Sequence, residues 1–269
     1  LSLTQQFDSI PFIVKTRINE ELIKNLIRDD RPIIFEGLHT CGIIKDQRIT
    51  SRLKLIRMHN IEHLYYKGLA SVETNLIKKT YFQLEAQKLE KYEPIISKAD
   101  KILAISKSDA DHFKKFNSDS IYLPAFIEPQ GPYFSYTIED FCLYHGNLKV
   151  VENQNALDFL IEVFSKLRIK LVVAGKDPSQ KLKNRISEIK NIKLIENPTN
   201  VELNELVSKA KLNCLPTFQS TGVKLKLIKA LSFGNLVLVN DEMIEGTDLG
   251  SFCRVANTVD EWRKTCLLY

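Results

Sequence analysis

The sequence predicts two doubly wound α/β domains in tandem. Three observations support this. The 269 residues exceed one usual domain and can bury two ordinary cores. From Arg31 onward, short β-branched or apolar runs alternate with amphipathic helical stretches, the pattern of a parallel sheet covered by helices. That alternation stops once, at the Pro-, Gly- and aromatic-rich run QGPYFSY after residue 129, and then starts afresh.

In the first series the strand candidates are PIIFEG (32–37), RLKLIRM (52–58), KILAIS (101–106) and SIYLP (120–124). Helix candidates cover 19–29, 61–70, about 80–97 and 107–116. The first of these helices has no strand before it, so one or more opening βα units are expected to be missing. The second series offers FCLYHG (141–146), IKLVVAG (169–175), IKLIEN (192–197), LNCLPT (212–217) and NLVLVN (235–240). A helix over 153–167 would bury Ala156, Phe159, Leu160, Val163, Phe164 and Leu167, and another fits 201–210. The closing DEWRKTCLLY reads as a helix that stops without a cap. The expected division is residues 1–130 and 131–269.

Composition narrows the function classes. With 44% hydrophobic and 26% charged residues, the chain reads as globular rather than disordered. Its longest apolar runs fall far short of the ~20 residues that span a bilayer. A net charge of +5 suits an anionic ligand but is too mild for a nucleic-acid partner. The charge is also evenly spread, with 20 Lys/Arg against 17 Asp/Glu in residues 1–130 and 18 against 16 in the remainder. The five cysteines are scattered, odd in number and mostly inside apolar runs, which points to buried free thiols in a reducing, cytoplasmic compartment. No CxxC or His-rich metal spacing is present.

In a doubly wound fold, chemistry concentrates in loops at the carboxyl ends of strands. The strongest such run is PTFQSTGVKLKLIKALSFGNLVLV (216–239). Here Leu225, Ile228, Leu231 and Ala230 form an apolar stripe, Ser220 or Thr221 can cap the helix, and Gly234 ends it. Free N–H groups at Gly222, Val223 and Lys224, with the helix dipole behind them and Lys224 and Lys226 beside them, make a phosphate seat. An ordinary capped helix with a solvated lysine face is the competing reading. There is no GxGxxG after any strand and no GxxxxGK[ST], so dinucleotide and P-loop readings lose their main support.

In the first half, strand RLKLIRM runs straight into His59-Asn60-Ile61-Glu62-His63, and His39 closes the similar segment PIIFEGLH. Two strand-end histidines from successive βα units, with Glu62 one turn on, are candidates to meet a sugar hydroxyl or phosphate. A histidine that merely satisfies backbone groups is the bland alternative for each. Ser106 reads as a helix N-cap. Gly146 and Gly175 end strands where a ligand can touch backbone, and Lys176 is a weaker phosphate or ribose candidate.

RMHNIEHLYY (57–66), ADKILAISKSDADHF (99–113), LYHGNLKVVENQNALDFLI (143–161), LVVAGKDP (171–178) and STGVKLKLIKALSFGNLVLVND (220–241), in this order, resemble glycosyltransferase family 4 and its GT-B relatives. The resemblance runs from Pro32 to Tyr269. It implies two Rossmann-like doubly wound domains (GT-B), with the N-terminal domain incomplete. The first domain would take the acceptor and the second would hold the nucleotide sugar.

The resemblance further implies a retaining hexosyltransferase that needs no metal or cofactor. It would move sugar from a UDP- or GDP-sugar to a glycan or lipid-linked acceptor, with peripheral contact to an anionic membrane face as a further expectation. Carried over residue by residue, His59 would lie beside the donor sugar and its phosphates. Thr221, Gly222 and Val223 would meet the diphosphate with Lys224 and Lys226 close by, and Asn197 would fall near the base. Gly146 and Lys176 would line the nucleotide, and His39 and Glu62 the acceptor.

Departures from the family pattern are specific. The usual glutamate pair falls at Thr221 and Lys229, and the basic residue expected after the first strand's glycine is Asn147. Asp109-Ala110-Asp111 mimics a metal-binding DxD but lies within an expected helix, as solvated surface. The missing acids keep two alternatives open: a non-catalytic nucleotide-sugar or glycan binder, and a nucleotide-sugar epimerase of the same shape.

Overall fold

A computed structural model describes residues 9–126, 137–218 and 224–269. The chain divides into two compact units, parting between Ala125 and Phe126.

The first unit opens with helices α1 (Phe12–Lys15) and α2 (Glu20–Leu26), the latter capped by the Asn19 side chain on the Glu21 N–H. Then follow β1 (Ile33–Glu36), β2 (Lys54–Met58), α3 (Glu62–Val72), α4 (Leu76–Tyr92), β3 (Lys101–Ala104), α5 (Lys107–Phe113) and β4 (Ser120–Tyr122). The strands form a four-stranded parallel sheet in the order β1-β2-β3-β4. All four expected strands are present, slightly shortened.

The long helix expected over 80–97 starts earlier, at Leu76, where Asn75 accepts from two backbone N–H groups. It changes at Glu93 into a 3₁₀ turn over Glu93–Lys98, because Pro94 lacks an N–H and sits where only a fresh helical start tolerates it. Ile33, Phe35, Ile56, Met58, Ile102 and Ala104 pack with Ile23, Leu38, Leu89, Ile96 and Phe113 into one core. In β1 the alternate side chains, Ile34 and Glu36, are exposed.

The second unit comprises β5 (Glu139–Asn147), α6 (Val151–Phe164), β6 (Leu171–Lys176), α7 (Gln180–Ser187), β7 (Ile192–Glu196), α8 (Asn200–Lys209), β8 (Ala210–Cys214), α9 (Leu225–Ser232), β9 (Val237–Val239), α10 (Asp241–Ile244), β10 (Arg254–Val255) and α11 (Val259–Leu268). Its six parallel strands are ordered β10-β9-β8-β5-β6-β7. The chain winds outward from β5 in one direction through β6 and β7, then returns to build β8, β9 and β10 on the other side. That is the Rossmann-like order, with its switch point between β5 and β8.

Near-continuous burial along β5, β6 and β8 follows from having helices on both faces. Cys142, Tyr144, Val173 and Leu212 face α6 and α11, packing on Leu157, Leu160, Phe164 and Trp262. Phe141, Leu143, Val172 and Ala174 face the other way, onto Val207, Leu227, Ala230 and Met243.

Three expectations are corrected. Helix α9 as described begins at Leu225, with Lys224 at its N-cap and no side-chain cap. Ala230 of the expected stripe is buried, but its buried partner is Leu227, one turn before it, while Leu225 is exposed because the phase set by that pair turns it to solvent. Asp109 is not solvated surface, since only Asp111 of the acidic pair is exposed and burial raises the Asp109 carboxyl above the usual range. The two-residue β10 is too short to leave a periodic signal.

Trp262, the chain's single tryptophan, is fully buried, donates from Nε1 to the Ala256 carbonyl at 2.7 Å and meets the Phe159 ring edge-on. It therefore reports on this core. Leu160→Ala is expected to destabilise the second unit by about 2–5 kcal/mol. Urea unfolding followed by Trp262 emission checks this, and an unchanged midpoint would refute the packing assignment.

Candidate functional site

At the switch point, the carboxyl ends of β5 and β8 carry His145-Gly146-Asn147 and Leu215-Pro216-Thr217. Polar groups from three other segments fix this edge. Thr217 accepts Asn240 as a mimic backbone partner: its N–H donates to Asn240 Oδ1 at 3.0 Å, and its carbonyl accepts from Asn240 Nδ2 at 2.6 Å. The same Nδ2 also donates to Glu242 at 2.7 Å. The Thr217 hydroxyl donates to Glu152, at the start of α6.

Asn153 holds the neighbouring corner. Its backbone carbonyl accepts from the Tyr144 hydroxyl at 3.0 Å, and its Nδ2 donates to the Asn147 carbonyl at 3.0 Å. Its Oδ1 accepts from Lys226 Nζ at 3.3 Å, and the same ammonium lies 5.5 Å from the Tyr144 ring centre. A Cβ on Gly146 would come within 3.2 Å of the Asn153 side chain, so glycine lets this corner close.

Three lysines line α9 beside these strand ends. Lys224 is buried, and its ammonium is held down to about 8, chiefly by desolvation and further by Lys226; Glu152, Glu245 and Glu242 oppose the shift. Burial also lowers Lys226 and Lys229. Holding Lys224 this far below its ordinary value costs the charged form about 3 kcal/mol. His145, buried on the α9 face of β5, is pushed down to about 3 by burial and by Lys226 and Lys229, and its Nε2 has no hydrogen-bond partner among the described residues. This edge is therefore rich in cations that an anion would stabilise.

The remaining expected residues of this unit fall as follows. Thr221, Gly222 and Val223 lie outside the described residues. Lys176 is exposed at the end of β6. Asn197 follows β7 with φ 49°, and its Oδ1 accepts the Asp177 N–H at 2.9 Å. Gly175 is explained by packing, because a Cβ there would sit 2.2 Å from Leu148.

In the first unit, the strand ends bring the expected histidines together in pairs with acids. His59 Nε2 is hydrogen-bonded to Glu36 Oε2 at 2.8 Å. His39 lies in a 3₁₀ turn over Leu38–Ile43 rather than in a strand end, with Nδ1 3.5 Å from Oε1 of buried Glu62. The turn is entered through Gly37 at φ 87°, where a Cβ would collide with the His39 ring at 2.7 Å. Arg57, in β2 beside Glu36, donates to the Leu123 and Pro124 carbonyls at the end of β4, and burial lowers its pKa. Ser106 caps α5 through the Asp109 N–H.

Glu36, Arg57, Glu152, Thr217, Asn240 and His145 were not singled out from sequence. A strand-end position alone could have flagged Glu36, Arg57 and His145.

Residues 139–261 match the family model described as Glycosyl transferases group 1. A curated relative, an uncharacterized 44.6 kDa protein in the cps region of Klebsiella pneumoniae, is 32% identical over 257 residues, which is 88% of this chain and 64% of that protein. Among solved structures, an S. aureus TarM mutant in complex with Fondaparinux, alpha-GlcNAc-glycerol and UDP superposes with TM-score 0.65 at 14% identity, over 92% of this chain and 50% of that one. An alpha,alpha-trehalose-phosphate synthase from Burkholderia vietnamiensis gives TM-score 0.63 at 8% identity, covering 92% and 66%. Anabaena HepE, crystallised with UDP and glucose, gives 0.61 at 11%, covering 92% and 70%. At such identities these likenesses establish the fold, which is the GT-B type expected from sequence. The chain spans 64% of the curated relative and half of TarM.

Asn240→Ala would leave the Thr217 N–H and carbonyl without their partner in a buried setting. The expected loss is about 1–3 kcal/mol in chemical denaturation. Asn240→Asp, which can accept but not donate, should cost a comparable amount.

Proposed function

With residues 139–261 belonging to the group 1 glycosyltransferases, we propose that the second unit binds a nucleoside-diphosphate sugar and that the protein is a retaining glycosyltransferase. The observation that carries this reading is the set of lysines along α9, partly desolvated beside the carboxyl ends of β5 and β8. A diphosphate is a ligand class that suits such an edge, since its negative charge favours the ammonium form that burial disfavours. UDP or GDP is the expected leaving group, and a glycan or lipid-linked hydroxyl the expected acceptor, received by the first unit. The complexes of TarM and HepE with UDP support the class of donor by analogy of fold.

In the reaction, the bond between the anomeric carbon and the diphosphate oxygen breaks, and the electron pair leaves on the diphosphate. The acceptor hydroxyl oxygen bonds to that carbon on the same face, and its proton passes to the departing phosphate. Lys224 and Lys226 oppose the negative charge as it grows. His59, hydrogen-bonded to Glu36 in the first unit, is not assigned as a nucleophile. No metal is assigned to this transfer, and the expected check is activity that survives chelation.

Calorimetry with UDP, GDP and their sugars tests the donor site. Tight binding of one diphosphate is expected, weakened roughly 10- to 100-fold in Lys224→Ala, the worth of one charge-assisted contact. No binding to any of them would sink the assignment. Binding without transfer to any acceptor would select the non-catalytic reading, and donor consumption with a new sugar epimer but no acceptor product the epimerase. The pH dependence has a definite sign. Lys224 is cationic below about 8, so nucleotide affinity should hold below that pH and fall about tenfold per unit above it until the ammonium of the complex also titrates.

A further inference from the structure

The first unit holds a second polar cluster that takes no part in the proposed transfer. His63 in the first turn of α3, Glu93 at the start of the 3₁₀ turn after α4, and His112 near the end of α5 converge from three helical segments. His63 Nδ1 lies 3.2 Å from Glu93 Oε1, and His112 Nε2 lies 2.7 Å from Glu93 Oε2. The three ligand-bearing atoms all fall within 4.8 Å of one another. His63 and Glu93 are buried, while His112 keeps 19% of its side chain exposed, enough for an ion to enter from solvent.

We propose that His63, Glu93 and His112 form a binding site for a single divalent zinc-like cation that fastens the helical layer of the first unit. The donor chemistry fits. Two imidazole nitrogens and one carboxylate oxygen are a ligand set of borderline metals, and three protein ligands leave a fourth position for water. In metal-free protein the two ring nitrogens facing Glu93 share its carboxylate. In the bound form each turns a lone pair to the cation and carries its proton on the far ring nitrogen. For His63 that far nitrogen, Nε2, lies 4.0 Å from Glu90 Oε1, a carboxylate placed to orient the ring from behind.

Glu93 supplies one buried carboxylate, and half-buried Asp109, one turn before His112, interacts with both His112 and Glu93, while Glu90 is paired with Lys67 at 2.9 Å. Binding would tie α3, the segment after α4, and α5 through one centre, adding to the hydrogen bonds of Glu93 and to the apolar packing beneath them. As a structural centre it needs no part in sugar transfer.

Cobalt and zinc serve as probes on the full chain after exhaustive chelation. One equivalent of Co²⁺ should bind and give visible bands of a low-coordinate nitrogen–oxygen site, without thiolate charge-transfer in the near ultraviolet. Zn²⁺ should displace it, and zinc at 100 times its Kd should shift the unfolding equilibrium about 100-fold toward the folded state. His112→Asn, at the partly exposed position, should weaken zinc by at least about tenfold while leaving the far-ultraviolet circular dichroism of the metal-free chain unchanged. Failure of wild-type protein to bind stoichiometric metal would overturn the proposal, as would equal affinity in His112→Asn. Strong thiolate bands would also overturn it, by moving the ion to the three buried cysteines Cys142, Cys214 and Cys266. The wild-type spectrum needs no mutant, so the test does not hinge on a variant that folds.

Discussion

The second unit depends on one constraint: three lysines, one at the N-cap of an eight-residue helix and two within it, are placed where burial disfavours their charge. Burial of Lys224 and Lys226 works against the fold unless something else holds α9 in place. Leu227 and Ala230 do so, by packing with Leu143, Val172 and Val237 of the sheet. The apolar stripe and the cationic edge of α9 are therefore two halves of one arrangement. Packing energy from the first maintains electrostatic tension in the second, which an anion would relieve.

The switch point gives that tension a direction. Because β8 is laid against β5 and not against β7, the loops leaving β5 and β8 diverge, and the polar groups that stabilise them must come from elsewhere in the chain. Asn240 reaches across from the end of β9 and Glu152 from the start of α6, each satisfying groups on Thr217. These side chains anchor Thr217 beyond the end of β8. A rigid edge matters for phosphate stabilisation, since dipoles and ammonium groups already in place need no reorganisation when charge develops.

This explains which parts were legible in the sequence. Strands β5, β6 and β8 announce themselves as apolar runs because both faces of the sheet are covered, and Lys224 and Lys226 stand out because they follow a strand-end loop. Thr217, Glu152 and Asn240 did not, being 65 and 23 residues apart and joined only by strand order. The same holds for His63, Glu93 and His112, spread over three helical segments with no ligand spacing along the chain. It holds again for Cys142, Cys214 and Cys266, whose buried sulfurs meet across β5, β8 and α11. Element boundaries failed where backbone chemistry outvoted periodicity, as at Pro94, and the burial phase of α9 is set by Leu227 and Ala230, which turn Leu225 to solvent.

Lys229 carries the remaining consequence. It stands where family resemblance places an acid, nearly one turn beyond Lys226 on the same short helix, and its ammonium is lowered by burial. A carboxylate there would accept hydrogen bonds from ribose hydroxyls; an ammonium can only donate. His145 cannot take over as a charged partner, since burial and the adjacent lysines keep it neutral. With Asn240 and Thr217 committed to each other, the donor site proposed along α9 would be weighted toward phosphate oxygens, and sugar hydroxyls would find their acceptors on other elements. The substitution thus trades a group selective for ribose for one selective for negative charge, so affinity at this edge should follow the number of phosphates more closely than the identity of the nucleoside.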